Sequence, residues 1–232
     1  MKKIVSCIVI IAFLASCSKE KTGSMVVNGN IDGLKKGTVY LQKIKDTLLI
    51  SVDSVQLNGN SNFVLVDEIT SPEIYYITLD KKENEKIEFF GENGEITVNS
   101  KLAKLTTSVK ISGSKNQELL DQYYNMIKQF RGKELDFIKS KFEAQRDNND
   151  SLLLNLEKEE ANLIKRKYYY STNFAIQNND KEVAPYIALT ELYNANIKLL
   201  DTINNRLSEN IKTSKYGLKL DKFIKTIKTN EE

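Results

Sequence analysis

The sequence predicts an α+β chain, with an N-terminal antiparallel β-sandwich-like domain over residues 25–112 and a C-terminal α-helical region over residues 113–232. Three observations carry that expectation. Between Met25 and Ile111 apolar residues recur with the two-residue period of strands. Ser112-Gly113-Ser114 interrupts that pattern. Beyond it the apolar spacing becomes helical, about 3.6 residues.

In the first half, Val27 and Ile31 flank Gly29 on one face, and Val39 with Leu41 forms a second pair. Leu48, Ile50 and Val52 alternate with Leu49, Ser51 and Asp53, and Phe63 and Leu65 alternate with Val64 and Val66. Ile74, Tyr76 and Thr78 alternate with Tyr75, Ile77 and Leu79. Ile87 with Phe89, Ile96 with Val98 and Val109 with Ile111 complete roughly seven to nine short strands. Asn58-Gly59 and Asn93-Gly94 sit between apolar runs and predict type I′ hairpins, because Asn-Gly supplies two adjacent positive φ angles. Pro72 precedes the strand Glu73–Leu79, where a missing N–H matters least.

In the second half, Ser114 with Gln117 fits a capping box. Leu120, Tyr123, Tyr124, Ile127 and Phe130 make an apolar stripe, and Leu135, Ile138 and Phe142 resume it beyond a kink or break expected at Gly132. Asp147-Asn148-Asn149-Asp150 is a turn. A second helix buries Leu153, Leu156, Leu163, Ile164 and Phe174 and ends at Asn178-Asn179-Asp180. A third starts near Pro185, and Leu199–Leu207 and Tyr216–Ile227 read as two more.

Composition removes several chemistries. The chain has no His, no Trp and two Cys, Cys7 and Cys17. Cys–His and Ser–His–Asp machinery and His- or Cys-ligated zinc are thereby excluded, leaving carboxylates, Lys, Tyr or an oxygen-ligated metal. Nothing in the sequence implies a cofactor or a metal. The net charge of +3 falls to about +1 once Lys2 and Lys3 are removed, which is no electrostatic footprint for nucleic acid.

Those two lysines precede an apolar run, Ile4–Leu14, too short for the ~20 residues of a spanning helix. Leu14-Ala15-Ser16-Cys17 follows and resembles the bacterial lipobox. The expected organisation is a lipoprotein signal peptide at 1–16, cleavage between Ser16 and Cys17, lipidation at Cys17 and a lipidated tether at 17–24. Two or more acyl chains make a stable anchor. Ser18 next to the Cys looks like an outer-membrane sorting residue, with the body facing the periplasm or the cell surface.

The remaining motifs each have a plain alternative. Asp46, Asp53, Asp67 and Glu68 could supply a catalytic carboxylate pair, although acids beside hairpin loops are commonly solvated turn residues. Asp147, Asn149 and Ser151 alternate as in a calcium loop but lack its glycine and distal Glu, so a helix turn is preferred. Tyr168, Tyr169 and Tyr170 are the candidate binding residues. Three consecutive positions cover most of a helix's circumference, so at least one ring should face solvent and could stack on a ligand. The commoner role is to bridge a core and its wet rim. Lys165-Arg166-Lys167 beside them is read as a helix border.

Several residues together form an ordered series: Asn30-Ile31-Asp32-Gly33-Leu34, Gly37-Thr38-Val39-Tyr40-Leu41, Val52-Asp53-Ser54-Val55, Asn58-Gly59, Phe63, Pro72, Phe89–Ile96 and Ile111-Ser112-Gly113-Ser114. Over about residues 24–120 this series resembles the domain of unknown function that precedes thioredoxin-like (redoxin, TlpA-type) domains in many bacterial lipoproteins. The helical remainder, with Ser214-Lys215-Tyr216-Gly217, is similar to the connector leading into the thioredoxin-like domain. That domain would be expected to begin where this chain stops, at Glu232, and there is no Cys-x-x-Cys. The resemblance therefore implies a location, a fold and a redox-type partner, and supplies no catalytic residue. The expected function is a lipid-anchored, non-catalytic envelope protein, a binding or scaffolding module held to the membrane and meeting an envelope protein such as a thioredoxin-like partner. A glycan- or small-ligand-binding lipoprotein and a carboxylate-based hydrolase are the alternatives.

Overall fold

The computed structural model describes residues 21–80, 82 and 84–231. The expected signal peptide (1–16), the cleavage expected between Ser16 and Cys17 and the expected lipidation residue Cys17 lie outside them. The chain is α+β. Among the described residues, eight strands precede six helices. The strands are β1 (Met25–Asp32), β2 (Lys36–Lys45), β3 (Leu48–Asn58), β4 (Asn62–Asp67), β5 (Glu73–Leu79), β6 (Lys86–Gly91), β7 (Gly94–Lys101) and β8 (Lys110–Ser112). The helices are α1 (Lys115–Arg146), α2 (Asp150–Gln177), α3 (Val183–Glu191), α4 (Ile197–Arg206), α5 (Glu209–Lys212) and α6 (Lys215–Glu231).

The strands form two four-stranded sheets, ordered β4-β1-β7-β8 and β3-β2-β5-β6. Their facing sides interdigitate Val27, Ile31, Val39, Leu41, Phe63, Leu65, Tyr75, Ile77, Phe89, Ile96 and Val98 into one core. The alternation of these residues is why the segments become strands with one dry face. Gly29 belongs to that dry face because the Phe63 ring occupies the place where a Cβ would stand.

Three expectations need correction. The sandwich is not wholly antiparallel: β1 and β7 pair in parallel from Met25↔Gly94 to Asp32↔Lys101. The chain leaves the first sheet after β1 and after β4, building β2–β3 and β5–β6 in the second, so β1 and β7 meet through long connections rather than a hairpin. Asn58-Gly59 and Asn93-Gly94 are not hairpins either. Each carries the chain from one sheet to the other, and only the glycine has positive φ, 95° at Gly59 and 113° at Gly94. The tight hairpin lies at Asp46-Thr47, between paired Lys45 and Leu48, with Asp46 at φ 57°. Finally, α1 runs through Gly132 as one 32-residue helix. Its inward line continues through Glu134, Phe137, Lys141 and Ala144, with Lys167 of α2 on Glu134 at 2.6 Å and Lys141 on Glu160 at 2.7 Å. Leu135, Ile138 and Phe142 do not resume the stripe; they are 67%, 45% and 69% exposed on another face.

The helices cover the outer face of the β3-β2-β5-β6 sheet, and α1 also meets β8 at the edge of the other sheet. Ile74, Tyr76 and Phe90 on its outer face pack with Leu120, Tyr123 and Ile127 of α1, Val183 and Ile187 of α3 and Tyr216 of α6. Phe90 meets the Tyr186 and Tyr216 rings edge-on at 5.4 and 5.9 Å. Strands β5 and β6 are therefore buried on both faces. Hydrogen bonds reinforce the joint. Ile74 N–H donates to the Tyr216 hydroxyl at 3.0 Å, and Phe90 N–H on edge strand β6 donates to Gln117 Oε1 at 2.8 Å. Ser114 caps α1 by accepting from Gln117 N–H at 3.1 Å. The Gln117 side chain serves β6 instead of closing the expected capping box. A second core, including Ala188, Leu200, Ile203, Leu220 and Ile224, lies among the helices.

Candidate functional site

The residues singled out in the sequence do not converge. Tyr170 turns inward, stacked on Tyr123 at 5.9 Å, and Tyr168 packs against the helical core. Tyr169 is 49% exposed, with the Lys165 ammonium 5.9 Å from its ring centre. Of the neighbouring cations, Lys167 is held by Glu134. Asp46 is exposed in the β2–β3 turn, and Glu68 is exposed just after β4. Asp53 ties the two edge strands together: it accepts from Val66 N–H of β4 at 2.9 Å, from Ser54 N–H at 2.8 Å and from Lys21 at 2.8 Å. Asp67 accepts from Lys43 at 2.5 Å and from the Tyr75 hydroxyl at 2.6 Å. At the α1–α2 turn Asn149 caps α2 through Leu152 N–H at 3.0 Å, and Asp147 is held below the usual carboxylate range by its hydrogen bonds with Arg146. Among the described residues no three His, Cys, Asp or Glu side chains converge as metal ligands.

Two clefts draw on residues that sequence reasoning missed. The first, about 510 Å³, lies where the halves join, lined by Lys43, Ser71, Glu73, Glu182, Ser214 and Lys215 among others. Lys43 faces Asp67 and, at 3.6 Å, Glu73; Lys215 bridges to Glu73 from α6 and donates to Ile44 O at 3.2 Å. Burial, then the hydrogen bond to Asp67, pushes the Tyr75 phenol far up, so it remains a donor. The ammonium groups of Lys43 and Lys215 are satisfied by carboxylates of the sandwich, which makes this cleft a joint. Glu73, 8% exposed at the first position of β5, was the available signal: a charge opening an otherwise apolar strand must find a cation.

The second cleft, about 850 Å³, is a shallow concavity over the open side of the β4-β1-β7-β8 sheet. Register builds its floor. Asn30 of β1 stands between Asn62 of β4 and Asn99 of β7; Asn28 stands between Val64 and Thr97; Val26 lies between Val66 and Glu95. Asn30 Nδ2 donates to Asn62 Oδ1. Adjacent strands lie about 4.8 Å apart, so amides and a hydroxyl form a planar array of neutral donors and acceptors. The charged lining groups are Lys21, held by Asp53, and Glu95.

No curated protein matches the chain. From the first residue of β1 into the second turn of α1, taking in both sheets, residues 25–120 match the family described as "Domain of unknown function (DUF4369)".

Proposed function

We propose that the protein is a lipid-anchored, non-catalytic envelope protein that works as a binding or scaffolding module, related to the N-terminal part of thioredoxin-like lipoproteins. The observation that carries the scaffolding role is the line Leu135, Ile138 and Phe142 on the distal half of α1. Contiguous exposed apolar side chains of this kind mark contact surfaces. At about 100° per residue, Lys128 and Lys139 share that side of the helix, as do Arg131 and Arg146, which are paired with Glu191 and Asp147. The surface therefore suits a protein partner with an apolar groove and an acidic rim. Support for the anchor is the Leu14-Ala15-Ser16-Cys17 motif.

The test compares the native chain from Ser18, which contains every described element, with a Leu135→Ser/Phe142→Ser variant in pull-downs from envelope extract. The reading predicts a partner recovered by the native chain and lost by the variant. Recovery of none, or equal recovery by both, overturns it. In parallel, Cys17→Ser in the full chain should abolish lipid labelling and membrane fractionation, and unchanged fractionation would remove the anchor. A second reading, glycan or small-ligand binding, is favoured by the amide floor of the open sheet.

A further inference from the structure

We infer that the open face of the β4-β1-β7-β8 sheet is a binding site for a neutral, hydroxyl-rich glycan, centred on Asn28, Asn30, Asn62, Thr97 and Asn99. The inference rests on the ligand-binding reading just given and moves it from the Tyr168–Tyr170 cluster to the sheet. The lining chemistry selects the ligand class by elimination. A phosphate or carboxylate needs a free cation within the floor, and the one cation among the lining residues, Lys21, is engaged by Asp53 at 2.8 Å on both carboxylate oxygens. A divalent cation needs several carboxylates, whereas Glu95 is the one carboxylate among the lining residues. A protein partner is anchored by buried aromatic, Met or Arg side chains seated in an apolar centre. The centre here is amide, and the one aromatic in the lining, Phe63, is 4% exposed and turned into the core over Gly29.

Sugar hydroxyls fit what remains. Each Asn offers a donor and an acceptor from one planar group, the pairing that neighbouring hydroxyls present in return. Asn30 sits between Asn62 and Asn99, so the row spans three strands, about 10 Å, enough for two sugar rings. Val26 lies on the same face, as does Val64 at 41% exposure, giving apolar surface for sugar C–H groups. The half-buried Asn28, Asn30 and Thr97 lie on strands paired on both sides, so their positions are fixed before a ligand arrives.

The experiment is titration of the chain from Ser18 with maltoheptaose, cellohexaose and a neutral-glycan array, followed by backbone amide NMR. At least one neutral glycan should bind and shift resonances of β1, β4 and β7. Asn30→Ala/Asn62→Ala should weaken it on the order of tenfold or more, while Tyr169→Ala leaves it unchanged. No binding by any neutral glycan, binding that needs an anionic sugar, or loss on Tyr169→Ala with the Asn pair intact would each overturn the assignment. Binding of a glycan that shifts other strands would overturn the site and leave the ligand-binding reading standing.

Discussion

At the scale of single residues, the polar groups at the joint hold the two halves in place. Glu92, in the β6–β7 connection, accepts from Lys115 N–H and from Asn116 Nδ2 at 2.6 Å, placing a carboxylate at the positive end of α1. Asn116 Oδ1 accepts from Val183 N–H at 3.0 Å, which fixes the start of α3. Glu182 is drawn into the same cluster. Burial foremost, with the nearby Glu92 charge adding to it, raises its pKa above the ordinary 4.5, against the hydrogen bonds from its own backbone and Asn116. The sign of the consequence follows. Between 4.5 and the raised folded value the folded chain holds more protons than the unfolded chain, so this residue's contribution to stability falls as pH rises through that window. Glu182→Gln should therefore raise the melting temperature at neutral pH, and the difference should shrink as pH falls below the ordinary carboxylate range. Thermal melts of both proteins over that pH series check it; a constant offset would mean the charge is not responsible.

At the scale of elements, α1 shows what local pattern can and cannot say. Gly132 is exposed in the interior of the helix, and nothing stands within 4 Å of where its Cβ would be. Gly132→Ala should stabilise the chain by about 1 kcal/mol, read from urea denaturation; destabilisation would show that the backbone there needs glycine. A lone glycine weakens a helix without ending it, and the Glu134–Lys167 pair lies just beyond this one. The strands were legible because Val27, Leu41, Phe63 and Ile96 keep a two-residue period. Strand β5 was only half legible, since burial of Ile74 and Tyr76 depends on which sheet face the helices take. At Asn58-Gly59 and Asn93-Gly94 the dipeptide announced a chain reversal correctly, but the choice of sheet is made by distant core residues. The amide floor was illegible for a related reason. Asn28 and Asn30 read locally as the wet side of one strand, and only register brings Asn62 and Asn99 beside them. The Leu14-Ala15-Ser16-Cys17 motif, on which the proposed anchor rests, belongs to residues outside the described structure.

At the scale of the whole molecule, the helical region and the sandwich share one aromatic joint, and this bears on whether residues 25–112 and 113–232 behave as separate units. Phe90 is fully buried, with Tyr186 and Tyr216 edge-on against it. Tyr123, in the same apolar cluster, packs on the Phe174 ring at 5.3 Å, and its hydroxyl meets the Ser171 hydroxyl at 2.7 Å. Burial drives the Tyr123, Tyr186 and Tyr216 phenols upward, so over the neutral range they remain uncharged and the joint gains no charge to expel. Strands 25–112 taken alone would expose Ile74, Tyr76 and Phe90 to water. The chain should therefore melt in a single transition, seen at one midpoint by helical far-ultraviolet signal and by near-ultraviolet tyrosine signal. Phe90→Ala removes the centre of the joint, should cost about 3–5 kcal/mol, and should lower both signals together. Two separated midpoints, or a Phe90→Ala variant in which the tyrosine signal falls while the helical midpoint stays, would show that the halves are independent bodies. The glycan titration bears on the same coupling. The proposed floor is lined by no residue of the helices, so a bound neutral glycan should raise the common midpoint in proportion to the logarithm of its concentration.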